Sequence, residues 1–286
     1  MAVRRFSENN LTAEVLRRMR KTKNPRLKQV MTAFVRHLHA FVREVKPTQE
    51  EWLQGIQFLT ETGHWSTGKR QEFILMSDTL GVSMLVDALN YKAGAGATQS
   101  TVLGPFHREG APELALGANL AKHASDGEPC LVSGTVRDTA GRPVAGAKLD
   151  IWEGGADGLY DAQKGDAMNL RGVFRADAAG RFHFRCVTPT FYPVPNDGPV
   201  GKMLLATGRH PMRPPHLHFM IGAPGYKTLV THLFRKGGRY LDSDAVFGVK
   251  PELIVEFKKG EDGSSRVSYD FALIPEPSGK KKKHKS

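Results

Sequence analysis

The sequence predicts an α+β chain: a helical N-terminal part followed by an antiparallel β-sandwich or barrel. Three observations predict it. Apolar residues recur at helical spacing through the first third of the chain. After Pro129 the period changes to short, alternating, β-rich runs. Turn signals, and no helices, separate those runs. With 286 residues the chain has room for one large domain or two ordinary ones, at roughly 100–200 residues each.

From Pro25 to Lys46 the apolar positions are Leu27, Val30, Met31, Phe34, Leu38, Phe41 and Val45, the stripe of one helix. PTQEEW then places Thr48 as an N-cap with Glu51 three residues on. That capping box opens a second helix through Trp52, Ile56 and Leu59. A third helical stretch is RQEFILMSDTLGVSMLVDALN. On a single helix, Asp78 in it shares a face with the apolar Ile74, Leu75, Val82 and Leu85. A buried, unpaired carboxylate is costly, so an aspartate there needs a reason. A helix-internal bond to backbone is one, exposure at the stripe's edge another, contact with a ligand a third.

The strand-like runs are CLVSGTV, AKLDIWE, GRFHFRCV, HLHFMIG, KTLVTHLF, ELIVEF and RVSYDFAL. DTAGRPVAG and DAAGR supply turn chemistry between several of them. No internal repeat is present. The expected division is 1–125 for the helical part with its linker, 126–275 for the sandwich, and 276–286 for a disordered basic tail.

The net charge of +12 is uneven: residues 1–46 carry +9, the tail +5, and the middle about −2 by difference. Nucleic acid is not expected as a partner, because no aromatic residues interleave the tail to stack on bases. A solvated helix face and a solubilising tail account for the charge. No run of about 18 apolar residues exists to span a membrane. The N-terminus lacks the apolar core of a secretory signal. Cys130 and Cys186 have no CxxC spacing and read as buried thiols in a reducing, cytoplasmic setting.

The tripeptide HLH occurs twice, and the backbone period separates the two cases. His37 and His39 lie in a helical run, where residues two apart point about 200° apart and share no ligand. His216 and His218 lie in a strand, where i and i+2 share a face while Leu217 points to the other side. Two imidazoles on one face can chelate one ion. Pro214 and Pro215 stiffen the entry to that strand, and Arg213 precedes them. Two tyrosines converge on the same region of sequence: Tyr160 in GLYDAQ, and Tyr192 in a Pro-rich loop unsuited to regular structure. Each alone reads equally as a packed aromatic.

The stretches DIWEGGADGLYD, TPTFYPVPNDGPVGKMLLATGRHPMRPPHLHF and GYKTLVTHLF resemble the intradiol ring-cleaving dioxygenases of the catechol 1,2-dioxygenase family. The resemblance runs from about Arg70 to about Phe271 and rests on the pattern Tyr…Tyr…Arg-Pro-x-His-x-His. TVLGPFHR and HLFRKGGRYLDSDAVFGVK are similar to its hydroxyquinol (benzene-1,2,4-triol) branch. The resemblance implies a catalytic β-sandwich and an N-terminal helical domain that pairs into a homodimer, in some members around bound phospholipid. It implies one non-haem Fe(III) per subunit, held by Tyr160, Tyr192, His216 and His218. Phenolate is a hard anion suited to a hard, highly charged ion. Holding a phenolate at neutral pH takes roughly 4 kcal/mol from the metal bond. The substrates implied are a small aromatic diol or triol and O₂, and the product is a ring-opened muconate. In the family's cycle the second tyrosine, here Tyr192, leaves the ion and takes one substrate proton, and Arg213 stabilises the charged ring. Leu75, Asp78, Val102, Leu103, Gly104 and Pro105 are expected over the substrate ring, with Arg213 and His232 nearby. The catechol enzymes carry a glutamine where this chain has His232. With four ligands already matched, His232 reads as an outer hydrogen-bonding residue. Catechol or a chlorocatechol is the rival substrate. A non-catalytic sandwich that binds a metal or a small aromatic is the rival of a different class.

Overall fold

The computed structural model describes residues 5–68, 70–123, 126–165 and 167–276, so the basic tail beyond Glu276 lies outside the described residues. The chain forms two compact units, residues 1–60 and 61–286.

The first unit holds α1 (Leu11–Arg18), α2 (Pro25–Val45) and the start of α3 (Gln49–Trp65). Asn24 caps α2 by accepting the Leu27 N–H at 3.0 Å, with Pro25 at the first helical position. The capping box of α3 forms as its sequence dictates. Thr48 N–H donates to Glu51 Oε2 at 2.8 Å, and Glu51 N–H to Thr48 Oγ1 at 3.2 Å. His37 is exposed, whereas His39 meets the Thr12 hydroxyl at 3.0 Å and joins α1 to α2. Val35 is the buried face of α2. The stripe Leu27, Val30, Phe34, Leu38 and Phe41 is 45–57% exposed.

In the second unit the expected third helix is two helices, α4 (Glu72–Thr79) and α5 (Val82–Asn90). Gly81 stands between them at φ 73°, a left-handed conformation that ends the first helix and re-aims the second. This corrects the single stripe expected around Asp78. Leu75 and Asp78 are buried while Ile74 on the same helix is exposed, and Val82 and Leu85 are exposed because the break rotates the later residues away.

Two five-stranded sheets follow. In the first, β1 (Pro129–Asp138) is central. It pairs antiparallel with β4 (Arg181–Val187) and parallel with β11 (Ser265–Ser268) and β12 (Phe271–Leu273); β10 (Lys258–Lys259) edges β11. In the second, the order is β3 (Arg171–Arg175), β2 (Lys148–Trp152), β7 (His216–Gly222), β8 (Leu229–Arg235) and β9 (Ile254–Val255). The sheets are therefore mixed, and not purely antiparallel as expected. Strands β11 and β12 return to β1 from more than a hundred residues away, and β9 reaches β8 through a long loop. Neither connection is a hairpin, so direction is free to be parallel. RVSYDFAL, read as one strand, is two. The break at Tyr269–Asp270 steps around Gly134, whose missing Cβ would lie 1.8 Å from the Tyr269 carbonyl oxygen.

The sheets bury their facing sides in one core. Val132, Phe182 and Phe184 meet Leu149, Phe174, Leu217 and Phe219, and the Phe174 and Phe184 rings stack at 5.1 Å. Two helices interrupt the strands, contrary to expectation: α6 (Asp161–Lys164) and α7 (Pro199–Ala206). Pro199 sits at the start of α7, where proline favours a helix, so a Pro-rich run reads as loop while encoding a helix start. Tyr192 also lies in regular structure. It belongs to the two-residue strand β5 (Tyr192–Pro193), which pairs with β6 (Met212–Arg213).

Glu153, just after β2, is 1% exposed. Its Oε1 accepts the Val187 N–H at 3.1 Å and its Oε2 has no hydrogen-bond partner. Burial pushes this carboxyl well above the ordinary range. The folded state therefore holds a proton that the unfolded chain loses above its own pKa, so this group costs stability as pH rises. Glu153→Gln is expected to stabilise the protein, with a gain that grows by up to about 1.4 kcal/mol per pH unit above the unfolded pKa. Denaturant midpoints of both forms at pH 5 and pH 8 check it; a gain that shrinks with pH would contradict it.

Candidate metal centre

The second sheet turns one face to the core and the other to the site. On β7, Leu217, Phe219 and Ile221 join the core, so His216 and His218 face the opposite way. The register places Arg171, Trp152, His218 and His232 in one row across β3, β2, β7 and β8. Strand β7 lies between two neighbours, which fixes both imidazoles on a rigid support. Trp152 stacks on the His218 ring at 4.7 Å and 17°.

Tyr160 and Tyr192 close over this row from the loops. Tyr160 begins α6, its N–H donating to Gln163 Oε1 at 2.9 Å. Asp161, the next residue, is held by the buried Arg171 guanidinium, which also donates to the Phe106 carbonyl oxygen at 3.1 Å. The Phe106 ring in turn stacks on Tyr160 at 4.4 Å and 15°. Tyr192 is fixed from the other side by the pairing of β5 with β6, directly opposite Arg213.

The four matched donor atoms converge. His216 Nε2 and His218 Nε2 are 3.1 Å apart, His218 Nε2 and Tyr160 Oη 3.0 Å, and the two phenol oxygens 3.3 Å. Ligand atoms about 2.0–2.1 Å from one ion at right angles lie about 3 Å from each other. Each successive pair of donors thus has the spacing of neighbouring ligands in one coordination sphere. The tautomer of His216 agrees. His216 Nδ1–H donates to the Pro214 carbonyl oxygen at 2.7 Å, which leaves the Nε2 lone pair free. His218 Nδ1 meets His232 Nε2 at 2.7 Å, on the ring edge away from Tyr160.

His216, His218 and His232 form a buried cluster whose nitrogens lie within 4.8 Å of one another. The geometry nevertheless distinguishes the third. His232 Nε2 addresses the back of His218, so it orients that ring and does not face the tyrosines.

Electrostatics suit a cation held by neutral nitrogen and ionised oxygen. Burial pushes both phenols up, with the neighbouring Tyr192 adding to the effect on Tyr160 and Arg213 opposing it on Tyr192. Burial also pushes the imidazoles of His216 and His218 well below their ordinary value, and the Arg213 charge adds to it. In the metal-free cluster all four donors are uncharged, and a bound trivalent ion would displace the phenol protons. Arg213 Nη1 lies 3.2 Å from His216 Nε2 and 3.5 Å from Tyr192 Oη. Burial disfavours its charge, but Asp244 and the phenols more than restore it, so it stays a cation.

A cavity of about 450 Å³ is lined by Leu159 and Pro193, chain neighbours of the two tyrosines, with Phe106, Leu75, Pro105 and Val194; Arg70, Glu72 and Gln163 supply polar atoms. Of the residues expected over a substrate ring, Leu75 and Pro105 form its wall. Val102 packs behind Leu75 and Val194, and Leu103 is 40% exposed and lines no part of this cavity. Gly104, at φ 77°, lies against the centre itself: a Cβ there would stand 3.3 Å from His218 Cε1. Asp78 lies one helical turn beyond Leu75, 2% exposed, with Oδ2 lacking a hydrogen-bond partner. Burial pushes its carboxyl up, against the Ser83 hydroxyl and the Arg213 charge. A second cavity, of about 470 Å³, borders Asp244 and Phe247; like the first, it is lined by none of the four donors themselves. Phe106, Trp152, Arg171 and Asp244 were not singled out from sequence. Trp152, Phe106 and Asp244 lie in stretches that carry the family resemblance, but nothing local marked their contacts at the site.

Comparison with known proteins agrees with this architecture. The family described as Dioxygenase matches residues 102–275, and that described as Catechol dioxygenase N terminus matches residues 24–98. The chain is similar to a 6-chlorohydroxyquinol 1,2-dioxygenase of Cupriavidus pinatubonensis, 55% identical over 94% of this chain and 98% of the relative. It is 49% identical to a hydroxyquinol 1,2-dioxygenase of a Rhizobium species, over 93% and 91% of the two chains. Among solved structures, the hydroxyquinol 1,2-dioxygenase of Pseudomonas putida DLL-E4 superposes with a TM-score of 0.85 at 48% identity, covering 94% of this chain and 99% of that one.

Proposed function

Because this chain belongs to the intradiol ring-cleavage dioxygenase family, we propose that it cleaves hydroxyquinol with O₂ between the two adjacent hydroxylated carbons, giving 3-hydroxy-cis,cis-muconate and its tautomer maleylacetate. The observation that supports the reading is the run of close contacts from His216 through His218 and Tyr160 to Tyr192, with successive donor spacings of 3.0–3.3 Å. Relatives whose names specify hydroxyquinol support the choice of substrate.

One non-haem Fe(III) per chain fits the donor set, and when bound it supplies the Lewis acidity that keeps the diol ionised and its ring reactive toward O₂. The protein's own residues do the rest. Tyr192, on a two-residue strand, is the donor with the least support, and its Oη takes one substrate proton. Tyr160, locked through Asp161, Arg171 and Phe106, remains in place. Arg213 Nη1 faces Tyr192 and His216 and stabilises negative charge as it spreads into the ring. Leu75, Pro105 and Phe106 exclude water on the substrate side. His232 Nε2, 2.7 Å from His218 Nδ1, orients that ring and accepts its Nδ1–H when His218 Nε2 is turned to a ligand.

Oxygen uptake with hydroxyquinol, catechol and a chlorocatechol tests the reading. Hydroxyquinol is expected to lead in kcat/KM by about tenfold or more, the worth of one satisfied buried hydrogen bond. Equal or faster consumption of catechol would overturn the substrate assignment.

The apolar stripe of α2 supports a homodimer, with phospholipid at the helical interface as a further partner of the same surface. Light scattering at micromolar concentration is expected to give twice the chain mass. A mass near 31.5 kDa would contradict the dimer.

A further inference from the structure

The loop between β8 and β9 carries a buried carboxylate that the mechanism above leaves unused. Asp244, 5% exposed, accepts Arg213 Nε–H at 3.0 Å on Oδ1 and Nη2–H at 3.2 Å on Oδ2. The backbone N–H groups of Val246 and Gly248 donate to the same carboxylate at 3.3 and 3.0 Å. The carboxylate thus takes one whole edge of the guanidinium in a fork, the strongest and most directional pairing arginine makes. That leaves Nη1 to point alone at Tyr192 Oη and His216 Nε2.

The loop is shaped around this pair. A Cβ at Gly248 would stand 3.0 Å from Arg213 Nη2, 3.0 Å from Thr101 Oγ1 and 3.2 Å from Asp244 Oδ2, so the chain can close here because this residue has no side chain. Thr101 donates to the Gly248 carbonyl oxygen at 3.0 Å and ties the loop to the segment that leads to Gly104. A long, flexible side chain is thereby held to one orientation in a place where its charge has to meet a developing anion.

We propose that Asp244 is a positioning residue for ring cleavage, clamping one edge of the Arg213 guanidinium so that Nη1 is aimed at the reacting centre. The proposal rests on the reading of Arg213 as the group that stabilises the charged ring. Asp244→Asn keeps the shape but removes the charge and one acceptor oxygen. In the full-length, iron-loaded chain it is expected to keep its iron and visible colour, with kcat for hydroxyquinol lower by about ten- to a hundredfold, the usual cost of losing an outer partner at a metal site. KM is expected to move far less than kcat. Because the effect runs through Arg213, the double variant with Arg213→Gln should be no slower than Arg213→Gln alone. Should Asp244→Asn not fold, Gly248→Ala takes its place: it leaves both charges but crowds Nη2, and kcat should fall on the order of tenfold. A wild-type kcat in the variant that is measured, losses that multiply in the double variant, or loss of iron would each overturn the clamp. A slow Asp244→Asn beside an unimpaired Arg213→Gln would sink the premise about Arg213 and the proposal with it. An unaltered chain that consumes no O₂ with hydroxyquinol would sink the functional reading itself.

Discussion

Alanine at position 218 is expected to strip the protein of bound iron and of colour. His218 is held at both ring nitrogens and on one face. Its Nε2 is within 3.1 Å of both His216 Nε2 and Tyr160 Oη, its Nδ1 is held by His232, and its ring is stacked on Trp152. Loss of an outer partner at a metal site costs about 10–100-fold in affinity, and loss of a ligand costs more. The unfolding midpoint supplies an independent reading. An ion that binds only the folded chain stabilises it by about 2.7 kcal/mol when present at a hundred times its dissociation constant. Iron should therefore raise the midpoint of the unaltered chain and leave that of His218→Ala unmoved. Full iron occupancy in the variant would refute the assignment.

The second large effect is expected at Asp78, where one residue is proposed to select between triol and diol. Its carboxyl is buried, with one oxygen lacking a partner, on the helix whose Leu75 lines the cavity. The third hydroxyl of hydroxyquinol would donate to that oxygen. Catechol has no such hydroxyl and would leave the carboxyl unsatisfied, a difference of about 1–3 kcal/mol. Asp78→Ala should accordingly reduce kcat/KM for hydroxyquinol by roughly ten- to a hundredfold and leave catechol within a few-fold. Equal losses on both substrates, or none on either, would place the selection elsewhere.

What could be read from sequence depended on periodicity. The HLH of β7 announced a shared face because strands repeat every two residues, and the HLH of α2 announced none because helices do not. Thr48 and Glu51 encode their helix start three residues apart, within reach of local chemistry. Gly81 splits a helix whose apolar spacing runs unbroken through it, so the pattern alone predicted one element and a false stripe around Asp78. The parallel pairing of β11 and β12 with β1 depends on contacts across more than a hundred residues, which no local pattern records. The same holds at the site. Arg213 precedes the HLH motif and is easily noticed. Asp244, 31 residues further on in a loop of no regular period, is visible only once the fold brings its carboxylate to the guanidinium.

Titrating Fe(III) into the metal-free chain while recording visible absorption tests the central claim most directly, because the colour of a ferric–phenolate bond requires both the ion and an ionised tyrosine. The account predicts saturation at one iron per chain with a broad visible charge-transfer band. A colourless iron complex, or tight colourless binding of zinc by the three histidines in place of iron, would contradict it.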